Sequence, residues 1–255
     1  MDSASRQAPP AITVSPTPIG DGPAAAEWRH WPATRAIRWL LRETLVRPCL
    51  AGFLRVRASG LEHLDTVEPP FLIACNHVSI LDPLVLLQAM PRSLRHRLAP
   101  AAMSQHFVDH PKGSRHYRWG VLGLNLFPLV QVGDWRPTLR IAGRLADRGH
   151  CLLIYPEGRR SDDGRPGRFH LGVIVLSEEL HLPLVPCATA GLHAVMPVGS
   201  KWPRREGLRR PTAAVCFGQP IPALGRNADR ASALRDLEAK IAGLHRQALT
   251  ISGGE

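Results

Sequence analysis

A chain of 255 residues buries roughly 70–75% of its unfolded surface when it folds as one domain, enough to hold an enzyme core. With 44% apolar and 21% charged residues it is not a wholly disordered, collagen-like or disulfide-stapled protein. Its 32 Lys and Arg against 21 Asp and Glu leave a net charge of +11, which favours anionic partners: lipid headgroups, phosphorylated substrates or nucleic acid. Nucleic acid is the poorest fit, because aromatics are only 5% and no basic run is interleaved with stacking residues. Cys49, Cys75, Cys151, Cys187 and Cys216 lie far apart, mostly in apolar runs and without a C-x-x-C pair, which predicts buried free thiols rather than a disulfide or zinc framework.

Residues 1–26 are rich in Ala, Pro and Ser, with neither the basic nor the apolar region of a secretory signal, and read as a disordered leader. Residues 27–57 read as an amphipathic helical segment. Ile37, Leu40, Leu41 and Leu45 gather on one side of a helical projection, Arg35, Arg38 and Arg42 on the adjoining stripe, and Pro48 is expected to kink or break the helix. Three of the six tryptophans (Trp28, Trp31 and Trp39) suit a segment lying at a membrane interface. The competing reading packs this helix on the protein's own core and leaves the arginine stripe in water.

Residues 58–255 alternate strand-like and helical stretches, which predicts an α/β fold: a single domain with a central mixed sheet flanked by helices and closed by a C-terminal helix. Expected strands are Phe71–Cys75, Cys151–Tyr155, Leu182–Ala188 and Ala213–Phe217. Expected helices are Pro83–Ala89, Pro137–Arg148, Gly172–Leu180 and Ala231–Leu249. The stretch from Pro69 to Pro91 has Asp82 as its one formal charge and invites a transmembrane assignment. Asn76, His77, Ser79 and Asp82 in its middle are costly in lipid, so it reads as strand, loop and buried helix.

The strand Phe71–Cys75 delivers His77 at its carboxyl end, where open α/β sheets bind ligands. His77 and Asp82, five apart, would point in different directions on a regular helix, so contact requires a turn, and Pro83 supplies a helix start there. A loop histidine folded back on Asp82 gains the fixed tautomer and basicity that a general base needs. The plainer alternative is that Asp82 caps its helix and His77 is satisfied by backbone. After the second buried strand, Pro156 to Arg168 gathers four arginines and three glycines, suited to an anion, with Glu157 able to hold one Arg in place. A solvated hairpin with internal Arg–Asp pairs is the alternative. No G-x-S-x-G elbow supports a serine hydrolase. His106 and His110 share a helix face but have no third zinc ligand at a recognisable spacing.

Taken together, N-H-x-x-x-x-D at Asn76–Asp82 and P-E-G-x-R-S at Pro156–Ser161 resemble the lysophospholipid acyltransferase family, typified by 1-acylglycerol-3-phosphate acyltransferases. Phe169-His-Leu-Gly172, Leu182-Pro-Leu-Val-Pro186 and Phe217-Gly-Gln-Pro-Ile221 resemble its further blocks, so the likeness spans about residues 52–224 in order. The resemblance implies transfer of a fatty acyl group from an acyl thioester, on CoA or acyl carrier protein, to a hydroxyl of a lysolipid. It makes His77 the general base and Asp82 its orienting partner, with no cofactor and no metal. It associates Glu157 and Arg160 with acceptor binding, and Gly158 and Ser161 with the shape of the loop. Separately, the Trp28–Leu54 segment with its five arginines predicts peripheral, salt-sensitive attachment to anionic lipids on the cytoplasmic side of the cell membrane. Two departures bear on the acceptor: Arg159 replaces a small Thr, and Gln131 falls about where the family carries an Arg. They keep open a phosphate-free acceptor such as a lyso-ornithine lipid, and a non-catalytic membrane-binding relative is the rival of a different class.

Overall fold

The structure, a computed structural model, describes residues 27–103, 113–130, 134–204, 209–225 and 228–253. The leader expected at 1–26, the His106–His110 pair and Gln131 lie outside them. Among the described residues seven strands form one sheet: β1 (Arg55–Ser59), β2 (Leu72–Cys75), β3 (Leu98–Met103), β4 (Phe127–Leu129), β5 (Cys151–Ile154), β6 (Leu184–Ala190) and β7 (Thr212–Phe217). Their spatial order is β1-β7-β6-β2-β5-β3-β4, parallel except for the antiparallel β6–β7 pair, so the sheet is mixed as expected. β1 begins at Arg55, inside the stretch assigned to the N-terminal segment; its largely exposed polar residues hide it from a hydrophobic pattern.

The central strands are short and wholly apolar because both of their faces are covered. Leu72 and Ala74 of β2 point, with Leu152 and Ile154 of β5, toward a core shared with α5 (Arg136–Ala146), α6 (Gly172–Leu180) and α7 (Arg230–Ser252). Ile73, Cys75, Leu153 and Val185 face the other side, against α2 (Arg47–Phe53) and α3 (Asp82–Ala89). Asp229 starts α7 by accepting from the amides of Ala231 and Ser232. The stretch between Pro69 and Pro91 resolves into β2, a loop and α3, and no described helix is long and apolar enough to cross a membrane. Four of the five thiols are buried, and Cys49 is exposed.

Two expectations for the N-terminal segment are corrected. First, Pro48 does not break it: α1 (Pro32–Leu41) runs into a π-helical turn at Arg42–Val46 and on into α2. Arg47 N–H bonds to Arg42 O, five residues back, and this wider turn sits just ahead of the proline ring. Second, Arg38 and Arg42 of the arginine stripe lie on the buried face, while Arg35 stays exposed. Arg38 and Arg42 are 3% and 2% exposed, whereas Trp31, Ile37, Leu40 and Leu45 are 59%, 48%, 52% and 56% exposed. The cause is the end of α4 (Gly113–Leu124), where the Leu122 and Gly123 carbonyls lie past the helix's last N–H donors and Val121 O, bonded to Asn125 N, has a lone pair to spare. Arg38 donates to Val121 O (3.0 Å) and Leu122 O (2.9 Å), and Arg42 to Gly123 O (2.9 Å). Arg29 donates to Asn125 O (3.0 Å) and Leu126 O (2.9 Å), where Asn125 turns the chain out of the helix at φ +60°. Cations belong at that end of a helix dipole. Burial lowers the Arg38 and Arg42 guanidinium pKa values to about 9 and about 10, which leaves both charged at neutral pH.

Candidate active site

β6, β2 and β5 are parallel neighbours, so their carboxyl ends lie side by side at one edge of the sheet. Asn76 and His77 leave the end of β2, and Tyr155, Pro156 and Glu157 leave the end of β5. This adjacency brings together two motifs that are far apart in the sequence.

The His77–Asp82 contact expected from the five-residue spacing is present: Nδ1 lies 2.7 Å from Asp82 Oδ2. A tight turn makes it, with Asp82 N bonded to Ser79 O at 3.1 Å. Because a carboxylate only accepts, Nδ1 carries the proton, and the neutral ring leaves Nε2 as its free base. Asp82 is fully buried, whereas the His77 side chain keeps 18% of its surface open. The expected cap is absent. Asp82 makes no bond to the start of α3 and instead turns back, with Oδ2 accepting from Val78 N (2.8 Å) and Ser79 N (2.9 Å). The carboxylate therefore shapes the loop that presents His77 as well as holding its ring.

The Pro156–Arg168 loop is bound to that same histidine. Glu157 Oε1 accepts the His77 backbone N–H at 2.9 Å, and the Ser161 N–H donates to His77 O at 2.7 Å. Glu157 Oε2 accepts from Gly167 N at 3.0 Å and closes the loop on itself. Burial raises the Glu157 pKa, and these two amides oppose the rise. Among the described residues Glu157 thus bonds two backbone amides rather than an arginine, and it is buried at the strand end. Gly158 completes a turn by donating to Tyr155 O (3.0 Å) at φ +70°, a conformation that suits glycine. Ser161 is buried and bonds Asp163 Oδ1 at 2.8 Å. Arg159 is exposed and paired with Asp162 at 3.3 Å, while Arg160 is partly exposed with no carboxylate partner among the described residues. Of the residues singled out on this loop, Glu157 and Ser161 are buried, and Arg159 and Arg160 are the ones that present side chains to solvent.

Tyr155 was not singled out in the sequence. Its ring stacks on His77 with centroids 3.9 Å apart and 17° between planes. The alternation of β5 carries the signal, because Cys151, Leu153 and Tyr155 share the face that meets the β2 loop. Beyond Tyr155 and Pro156 lies a cavity of about 260 Å³, lined by Leu129, Val130, Ile154, Val173 and Leu176 among others.

Residues 55–190, more than half of the chain, match the family described as Acyltransferase, and the chain belongs to that family. It is 31% identical over 151 residues to a chloroplastic 1-acyl-sn-glycerol-3-phosphate acyltransferase of Brassica napus, covering 58% of this chain and 41% of that one. A second chloroplastic enzyme of that name, from Arabidopsis thaliana, is 30% identical over 151 residues, covering 58% and 40%. The chain thus spans about two fifths of the length of these relatives. The crystal structure of the 1-acyl-sn-glycerophosphate acyltransferase PlsC from Thermotoga maritima shares the fold, with a TM-score of 0.60 over 82% of this chain and 77% of that one at 19% identity.

Proposed function

We propose that this protein transfers a fatty acyl group from an acyl thioester, on CoA or acyl carrier protein, to the hydroxyl of 1-acylglycerol-3-phosphate. The observation that carries the reading is the 2.7 Å contact of His77 Nδ1 with buried Asp82, which leaves Nε2 as a base at an open strand end. Nε2 takes the acceptor's hydroxyl proton as the oxygen attacks the thioester carbonyl. The tetrahedral adduct collapses by breaking its C–S bond, and the imidazolium returns its proton to the thiolate that leaves. This scheme needs no acyl-enzyme and no group beyond the chain and its two substrates. Arg160, with Arg165 and Arg168 exposed further along the loop, supplies guanidinium forks for the acceptor's phosphate. The apolar cavity behind Tyr155 offers space for a fatty chain.

The outward apolar side of α1 supports docking on a membrane surface, by a route different from the one read in the sequence. Arg29, Arg38 and Arg42 are spent inside the protein, so insertion of Trp31, Ile37, Leu40 and Leu45 replaces attraction by an arginine stripe as the main force.

Thiol release from acyl-CoA, measured with lysophosphatidic acid and with a phosphate-free lysolipid, tests the reading. Activity is expected only with the phosphate-bearing acceptor, and His77→Ala should lower it by roughly 10² to 10⁴. Arg160→Ala should raise the acceptor KM about tenfold to a hundredfold while the donor KM holds, as expected for a charge-assisted contact of roughly 1.5–3 kcal/mol. Near-normal turnover by His77→Ala removes the mechanism. Equal use of both acceptors, with Arg160→Ala silent, assigns the site to a phosphate-free lysolipid instead.

A further inference from the structure

Behind Asp82 lies a chain of buried polar groups that the reaction above does not use, and it ends on α7, outside the matched residues 55–190. Asn76 has its side-chain amide on the backbone of Thr189: Oδ1 accepts from Thr189 N at 2.8 Å, and Nδ2 donates to Thr189 O at 3.1 Å. This pairing continues the β2–β6 ladder past its last rung, Cys75 opposite Cys187. Thr189 O also accepts from His245 Nδ1–H at 3.1 Å, and since a carbonyl only accepts, the His245 tautomer is fixed. The side chains of Asn76, Thr189 and His245 are all buried. With its N–H and C=O engaged, Thr189 turns its hydroxyl to Asp82 and donates to Oδ1 at 3.0 Å. Oδ2 of that carboxylate takes three donors, His77 among them; Oδ1 has Thr189 as its hydrogen-bond donor among the described residues.

We propose that Thr189 is a positioning residue for the His77–Asp82 pair, held in register by Asn76 on one side and His245 on the other. The proposal rests on the reading of His77 as general base. The hydroxyl fixes the plane of the carboxylate, so Oδ2 stays aimed at the imidazole, and it withdraws charge that would otherwise fall on Oδ2. Loss of the hydroxyl strands Oδ1 in a buried site and shifts negative charge toward His77. The protonated ring is then favoured, so a higher pH is needed to free the base. Methyl packing by Thr189 alone would leave the pH dependence where it is.

The test compares Thr189→Val, which matches threonine in shape without the hydroxyl, with Thr189→Ser, which keeps it, in the full-length protein. Thr189→Val should lower kcat about tenfold, the loss expected for one bond to a charged group. Both KM values should stay within about twofold, because neither substrate touches Thr189. The rising limb of kcat against pH should move up by about half a pH unit, and Thr189→Ser should restore both the rate and the limb. His245→Leu should reproduce part of the defect and His245→Asn, which retains a donor, should relieve it. A second readout does not depend on turnover: the imidazole Nδ1–H proton resonance, assigned by its absence in His77→Ala, should shift in Thr189→Val and return in Thr189→Ser. If Thr189→Val does not fold, Thr189→Ala removes the same hydroxyl from a smaller side chain. A pH profile and imidazole resonance identical to wild type, or a serine variant as impaired as the valine, overturns the proposal. An active His77→Ala instead overturns the general-base reading, so the two failures are told apart.

Discussion

Glu157 separates two roles that a motif cannot distinguish. A carboxylate among arginines suggests electrostatics, yet its two oxygens accept one backbone amide each, from His77 and from Gly167. Glu157→Gln tests this, because an amide has one accepting atom and must point its NH2 at one of the two N–H groups. We expect a loss of about 1–3 kcal/mol in thermal or denaturant unfolding, the cost of an unsatisfied buried group, together with a fall in kcat rather than a selective rise in acceptor KM. A variant of normal stability with only acceptor KM raised would return Glu157 to the substrate. His77, Asp82 and the arginine loop were legible in the sequence because each follows a strongly apolar run that marks a strand end. Thr189, His245 and the stacking of Tyr155 were not, because they depend on which strands are neighbours, and that order is absent from any local pattern. The reach of Asp82 back to Val78 and Ser79 was missed for a related reason: a cap and a reversed loop bond place the same residue at the same helix start.

At the scale of the element, the N-terminal helix shows what periodicity can and cannot decide. The separation of apolar and basic residues around α1 was visible, but its orientation was not, since either side could face the protein. Carbonyls at the end of α4 decide it, for they give guanidinium groups something to bind inside the fold. Attachment to lipid should therefore resist salt. In vesicle co-sedimentation, binding to phosphatidylcholine should persist when ionic strength is raised, because charge screening has little to act on. Replacing Leu40 and Leu45 by Ser should weaken it about tenfold or more, at roughly 25 cal/mol per Å² of apolar surface withdrawn from the bilayer. Release by salt alone, with the double serine variant still bound, would show that the remaining exposed arginines carry the attachment. The π-helical turn at Arg42–Val46 has no comparable signature: Pro48 is visible as a breaker, but the widened turn that accommodates it is not.

Across the whole molecule, the mixed sheet and its two covered faces followed from the alternation of apolar runs and amphipathic stretches, whereas exposed β1, the alanine-rich and proline-interrupted β3 and three-residue β4 carried too weak a pattern to be recognised. The net charge also reads differently once folded. Arg29, Arg38, Arg42 and Arg95 are buried, so the field reaching an anionic partner is weaker than the total of +11 suggests. What the sheet order contributes most directly is the closure of the β2 and β5 loops around the backbone of one residue, with His77 N–H given to Glu157 and His77 C=O receiving Ser161 N–H. Neither amide can meet solvent unless the two loops part, so their deuterium uptake should follow a single rate set by one shared opening. An anion held by the arginine loop should slow both by the same factor, although it touches only one of them. Independent rates for the two amides would mean that the loops breathe separately.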